Sequence, residues 1–127
     1  MATLNDKVFD DGLSVFNTST NLPNGVIYIT STEATTYTEA ETTYALGNST
    51  SLSIGAPADR SGGGREVTVA AITDGSVTGT GTATHYAIVD PDTSTLLATG
   101  SLTASQSVTS GNSFTLSSFT IGIPDPA

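Results

Sequence analysis

The chain has 127 residues and no cysteine, and its formal net charge of −9 reflects 12 acidic and 3 basic residues. We therefore expect one domain of ordinary size, without disulfides or thiolate chemistry. Three basic residues cannot form the positive patch that nucleic acids and anionic membranes bind, so neither is expected as a partner.

The polar part of the chain consists mostly of hydroxyl side chains. Charged residues make up 12% of the chain, where about 25% is usual in soluble domains. Ser and Thr occupy about a third of all positions. Because Thr is β-branched and fits a pleated surface, this composition favours strands.

Three apolar side chains near the N-terminus, Phe9, Leu13 and Phe16, have the spacing of one helical face. With Thr3 as a candidate N-cap, they predict a short helix over about 4–17. Core packing is the ordinary interpretation of such a stripe, and the alternative is a docking surface for another protein.

The segment VIYITS at 26–31 is a continuous run of β-forming residues, which predicts a buried strand.

A second short helix is predicted near 38–46. Thr38 and Glu41 have the spacing of a capping box, and Gly47 stands where helices commonly end.

From Leu52 onward, short alternating segments separated by Gly, Asn and Asp predict strands and turns. Asp74-Gly75 predicts a hairpin turn, and DPDTS at 90–94 predicts another. The last strand changes its buried face at Ser117-Ser118, which predicts either a β-bulge or a corner.

About six or seven short strands predict a mainly β fold, either an antiparallel β-sandwich or a small barrel. One or two short helices are expected in the N-terminal part, and the whole chain, 1–127, is expected to form a single domain.

The segment ADRSGGGREVTV at 58–69 places two of the rare basic residues, Arg60 and Arg65, around a run of glycines. A P-loop needs G-x-x-x-x-G-K-[ST] at the start of a helix, whereas a strand-like run follows here, so a phosphate site is not expected. Two interpretations stay open. The segment is either a flexible turn or a protein-contact loop whose arginines pair with carboxylates of this chain or of a neighbour.

No pattern predicts an enzyme, a metal site or a cofactor. His85 is the single histidine, and without a G-x-S-x-G elbow it is interpreted as a hydrogen-bonded strand histidine. Asp90, Asp92 and Ser94 have the spacing that begins a calcium loop, but the required glycine and glutamate further on are missing. An Asp-Pro turn is the better interpretation there.

Five segments together resemble a small virion protein of tailed bacteriophages and prophages, of the alphaproteobacterial type. The segments are TYTEAETTYALGN, GAPADRSGGGREVTV, TGTATHYAIVD, LLATGSLTASQSVTSGN and FTIGIPDPA. The resemblance extends over nearly the whole chain and includes no catalytic motif. It implies a structural part of the particle, located in the virion after synthesis in the cytoplasm of the bacterial host.

The resemblance does not specify the position on the particle. Because the chain is small, β-rich, free of cysteine and low in charge density, we expect a head decoration or cement protein that binds the major capsid protein, and a homo-oligomer such as a trimer. A tail, neck or fibre component that contacts other virion proteins or the host surface is the alternative. The candidate contact residues are Arg60, Arg65, Phe9, Leu13, Phe16, Ile121 and Ile123.

Overall fold

The computed structural model describes residues 3–4, 12–61 and 64–123. Strands make up 52% and helical residues 10%, which confirms the predicted mainly β class. In chain order the strands are β1 (Thr3–Leu4), β2 (Val26–Thr30), β3 (Ala45–Ser49), β4 (Ala58–Asp59), β5 (Arg65–Val69), β6 (Ile72–Val77), β7 (Gly81–Asp90), β8 (Thr95–Val108), β9 (Ser113–Leu116) and β10 (Phe119–Ile123). A 3₁₀ turn spans Leu13–Phe16 and a π-helical turn spans Glu39–Thr43.

The described strands form two antiparallel sheets. The larger sheet has the order β1-β8-β7-β2-β3-β6-β9, and the smaller has the order β10-β5-β4. Apart from the two-residue β1, the 6 strands of the larger sheet form a half-barrel. The long hairpin of β7 and β8 turns at 91–94, which confirms the turn predicted from DPDTS.

One ribbon of paired strands belongs to both sheets. β6 pairs with β9 in the larger sheet, and β5 pairs with β10 in the smaller one. The chain passes between the sheets at Ala70 and Ala71 on one strand of the ribbon, and at Ser117 and Ser118 on the other. Of the two predictions for Ser117-Ser118, the corner is therefore correct, and it explains why the buried face changes phase there.

The main core lies inside the half-barrel, between the two sheets. β2 is a central strand between β3 and β7, and its Ile27 and Ile29 are fully buried, which confirms the predicted buried strand. β7 is buried on both faces. Ile88 joins the main core, whereas Ala87 and Val89 join a smaller cluster on the other face, to which Ala40 of the π-helical turn belongs.

The helix predicted over about 4–17 is wrong in the parts that the structure describes. Thr3 and Leu4 pair with β8 as a strand, and only Leu13–Phe16 is helical, as a single 3₁₀ turn. Gly12 has a φ of 72°, which a right-handed helix does not contain. Phe9 lies outside the described residues.

The helix predicted near 38–46 is reduced to the π-helical turn, and its capping differs from the prediction. Thr38 makes no side-chain capping bond. Instead, the Glu39 N–H donates to Thr36 Oγ1 at 3.1 Å, and Glu39 Oε1 accepts the Thr35 N–H at 2.9 Å. The Thr35 N–H and the Thr35 hydroxyl both donate to the Glu39 carboxylate and thereby lower the pKa of Glu39.

Gly47 lies inside β3 and does not end a helix. A Cβ atom on this residue would lie 2.5 Å from the Ser76 carbonyl oxygen of β6. Glycine is therefore required here because β3 and β6 approach closely, and not because the chain needs a left-handed residue.

The hairpin turn predicted at Asp74-Gly75 is wrong, because β6 passes through both residues. A Cβ atom on Gly75 would lie 2.4 Å from the ring of Phe114 on β9, so packing requires the glycine. The pairing with β9 shifts register at this point, as at a bulge. The Asp74 carboxylate accepts hydrogen bonds from the hydroxyls of Ser49 at 3.1 Å and Ser51 at 2.6 Å.

The close packing at Gly75 can be tested by adding one methyl group. We expect Gly75→Ala to lower the free energy of unfolding by about 1–3 kcal/mol, the usual cost of overpacking a core. Gly79→Ala is the matched control, since its new Cβ would meet its nearest neighbour at 3.6 Å. Urea denaturation measures both variants, and equal stabilities would contradict the packing of Phe114 against Gly75.

The carboxylate of Asp74 should make stability depend on pH. Hydrogen bonds from Ser51 and Ser49 lower its pKa. A carboxyl group with a depressed folded-state pKa adds stability above its unfolded pKa, and this stability is lost as the pH falls through the folded-state pKa. We expect Asp74→Asn to lower the Tm at pH 7 and the difference from the wild type to shrink below about pH 3. Melting curves at both pH values check this, and a constant difference would contradict it.

Candidate functional site

The glycine-rich segment forms the hairpin between β4 and β5. Asp59 pairs with Arg65, and the Arg60 N–H donates to the Gly64 carbonyl oxygen at 3.0 Å. Gly64 has a φ of 94°, which explains the glycine at this position. Residues 62–63 lie outside the described residues. Since a strand follows the hairpin, the loop does not lead into a helix N-terminus that could bind phosphate.

Arg65 finds a carboxylate within its own chain. Its Nη1 lies 2.6 Å from Asp59 Oδ1, and its Nη2 donates to the Pro57 carbonyl oxygen at 3.1 Å. The pair is exposed, with 56% of the Arg65 side chain and 94% of the Asp59 side chain accessible to solvent. Arg65 therefore braces the hairpin while presenting much of its guanidinium to the outside.

Arg60 packs across the smaller sheet. A Cβ atom on Gly122 of β10 would lie 3.0 Å from Arg60 Cδ and 3.2 Å from its Nε. The aliphatic part of the Arg60 side chain thus packs on β10 at Gly122, where the strand has no side chain of its own. Arg60 is therefore partly buried.

The apolar candidates for docking belong mostly to the core of this chain. Phe16, Leu13 and Ile121 are 0%, 5% and 8% exposed, which makes core packing the correct interpretation and docking the wrong one. Ile123 is partly buried against the same core. Phe9 lies outside the residues that the structure describes.

His85 is held by hydroxyl groups. Its Nδ1 lies 2.8 Å from the Thr84 hydroxyl, which donates its own proton to the Ser31 carbonyl oxygen at 2.9 Å, so Nδ1 is the donor. Nε2 lies 3.4 Å from the Ser101 hydroxyl, which can donate to it when the ring is neutral. A hydroxyl does not stabilise an imidazolium as the carboxylate of a catalytic triad does. These contacts confirm a hydrogen-bonded strand histidine.

Asp90 and Asp92, which have the spacing that begins a calcium loop, order the turn between β7 and β8. Asp90 Oδ1 accepts the Asp92 N–H at 3.0 Å, and the Asn24 amide donates to both oxygens of the Asp92 carboxylate, at 3.3 and 3.0 Å. Ser94 has a φ of 52°. The turn interpretation is therefore confirmed. No group of three or more His, Cys, Asp or Glu positioned to hold a metal ion occurs among the described residues.

An open groove with a volume of about 450 Å³ lies between β8 and the corner that joins β9 to β10. Its apolar lining comes from Tyr86, Leu102, Ala104, Leu116 and Phe119, and Ser and Thr side chains supply most of the remainder. We call this feature the β8–β10 groove. Its residues were not singled out from the sequence, because they come from three separate segments.

Two side-chain contacts cross the β8–β10 groove. The rings of Tyr86 and Phe119 pack with their centroids 4.5 Å apart, and burial raises the pKa of Tyr86. Further along β8, Gln106 Nε2 donates to the Thr115 carbonyl oxygen at 3.2 Å. The β9–β10 segment is therefore held close to β8 by side chains, although no backbone ladder joins them.

The strand edges beside the groove lack a neighbouring strand in the described part of the chain. β10 pairs with β5 alone. β8 pairs with β7 along one edge, whereas on its other edge β1 covers only Ala98 and Thr99. From Gly100 to Val108 this second edge of β8 has no strand partner among the described residues.

The stretch of sequence that supplies most of the groove contains no charged residue. None of the 12 acidic and 3 basic residues lies within 95–123, the stretch that contains β8, β9 and β10. This uncharged run is the signal in the sequence that could have indicated the groove. It contrasts with the net charge of −9 carried by the rest of the chain.

No family model, curated protein or solved structure matches the chain. In the described ranges, no helix is long and apolar enough to cross a membrane.

The Arg65–Asp59 pair can be measured directly. We expect Arg65→Ala to lower the free energy of unfolding by no more than about 1 kcal/mol, because exposed ion pairs contribute little. Asp59→Ala and the double variant complete a double-mutant cycle, whose coupling energy should decrease with added salt. A coupling of about 2 kcal/mol or more would show that the pair behaves as a buried one.

Proposed function

We propose that this protein is a non-enzymatic structural component of a bacteriophage particle, a decoration or cement protein bound to the major capsid protein of the assembled head. The resemblance of five segments to small virion proteins supports this identity. The β8–β10 groove is the observation that carries a role in protein contacts. An apolar lining beside unpaired strand edges suits recognition by another protein surface.

The use of the polar side chains supports a non-enzymatic role. His85 is engaged by hydroxyl groups, Asp90 and Asp92 order a turn, and Asp74 accepts hydrogen bonds from two serines. Each of these groups has a local structural task. A catalytic site would instead bring a nucleophile, a base and an orienting group together in a cleft.

The proposed mechanism is stabilisation by mass action. A protein that binds the assembled shell, and not its free subunits, lowers the free energy of the shell and shifts assembly towards it. The exposed guanidinium of Arg65 on the β4–β5 hairpin is a candidate contact for a carboxylate of the capsid protein. A homo-oligomer is part of this proposal, since decorating proteins act as symmetric sets.

Quantitative mass spectrometry of purified virions tests the proposed location. We expect a copy number comparable to that of the major capsid protein, because a decoration protein repeats with the shell lattice. A copy number that is a small fraction of that value would favour the tail, neck or fibre alternative instead. Absence from purified virions would contradict both.

A separate experiment tests whether the protein stabilises the shell. Particles that lack the protein should release DNA at a lower temperature, and adding the purified chain should restore the wild-type temperature. Turnover of host polysaccharide by the purified chain, abolished by one Asp or Glu substitution, would instead show that the protein is an enzyme.

A further inference from the structure

We infer that copies of this protein associate through the β8–β10 groove, with each copy contributing the uncharged surface of residues 95–123. The occupant of the groove is thus the corresponding strand edge of a second copy. This inference rests on the homo-oligomeric part of the proposed function and assigns it a surface.

The distribution of charge is the first argument. Two copies with a net charge of −9 repel each other, and the repulsion is strongest where carboxylates would approach within the Debye length of about 8–10 Å. A contact formed by 95–123 on both sides brings no acidic or basic residue of this stretch into the contact. A strongly basic partner would instead be expected to select the acidic remainder of the surface.

The character of the strand edge is the second argument. Exposed edge strands usually contain lysine, proline or a bulge that prevents pairing with another chain. β10 has the sequence FTIGI, without a charge or a proline, and its pairing with β5 has no bulge. β8 continues beyond β1 as GSLTASQSV, also without a charge or a proline, but its pairing with β7 is bulged between Ser101 and Gln106. The ladder with a second copy is therefore assigned to β10, whose outer edge has no strand partner among the described residues.

The side chains around the groove fit such a contact. Leu102 and Phe119 are only partly buried, so a second copy would remove further apolar surface from water. Thr103 and Thr120 line the same groove and are exposed. Their hydroxyl groups can form hydrogen bonds across the contact without the desolvation cost of a charge.

Sedimentation velocity of the purified chain over a range of concentrations tests the inference. The wild type should associate, and the association should not weaken when salt is raised, because salt screens the repulsion between the acidic surfaces. Thr120→Glu and Thr103→Glu should each weaken the association by at least about tenfold, because each would bury an unpaired carboxylate in the contact.

Thr42→Glu is the matched control. Thr42 is exposed on the π-helical turn, which packs against the other face of the larger sheet, and this variant adds the same single negative charge. It should associate like the wild type. Equal weakening of all three variants would show that net charge, and not this groove, controls association, and would overturn the inference.

A measurement on the wild type keeps the test independent of variant folding. Amide hydrogen exchange should slow at 100–106 and 117–121 when the concentration is raised into the associated range. A monomer at every concentration would overturn the inference and leave the groove to the capsid protein or to another segment of the same chain. A virion protein that is monomeric in solution would refute this inference and the homo-oligomeric part of the proposed function, but not the role in the virion. An associating protein absent from virions would refute the role in the virion and leave this inference standing.

Discussion

The ribbon shared by the two sheets determines the rest of the architecture. β5 with β10 and β6 with β9 are two parts of one antiparallel ribbon, bent at Ala70 and Ala71 on one strand and at Ser117 and Ser118 on the other. The bend moves one half of the ribbon into the smaller sheet, which covers the core of the half-barrel. It also ends the larger sheet at β9, so that β10 becomes an edge strand opposite β8. The groove is thus a direct consequence of the bend.

Close approach between strands explains where local sequence signals and structure disagree. Asp74-Gly75 has the composition of a hairpin turn, yet the glycine accommodates the ring of Phe114 and the carboxylate binds two serine hydroxyls. Gly47 resembles a helix terminus, yet it permits contact between β3 and β6. In each case the partner lies far away in the sequence, so no window of neighbouring residues can distinguish a turn from a packed strand.

The low charge density and the abundance of hydroxyl groups have one structural explanation. Hydroxyls bind the ring of His85 and the carboxylates of Asp74 and Glu39, so these polar groups have hydrogen-bond partners without ionic ones. Charge is then confined to one part of the chain, while 95–123 forms a neutral surface. Two copies of an acidic protein can associate through such a surface without bringing carboxylates of the two chains close together.

The mainly β class, the buried strand at 26–31, the turn at 90–94 and the change of buried face at Ser117-Ser118 follow from the sequence, because alternation, β-branching and turn residues act between near neighbours. That this change is a corner and not a bulge is decided by the pairing of β9 and β10 in different sheets. The absence of a P-loop also follows from local spacing. The partner of Arg65 and the burial of Phe16 depend on contacts between distant segments. The β8–β10 groove depends on such contacts as well, because its lining comes from three segments that only the bent ribbon brings together.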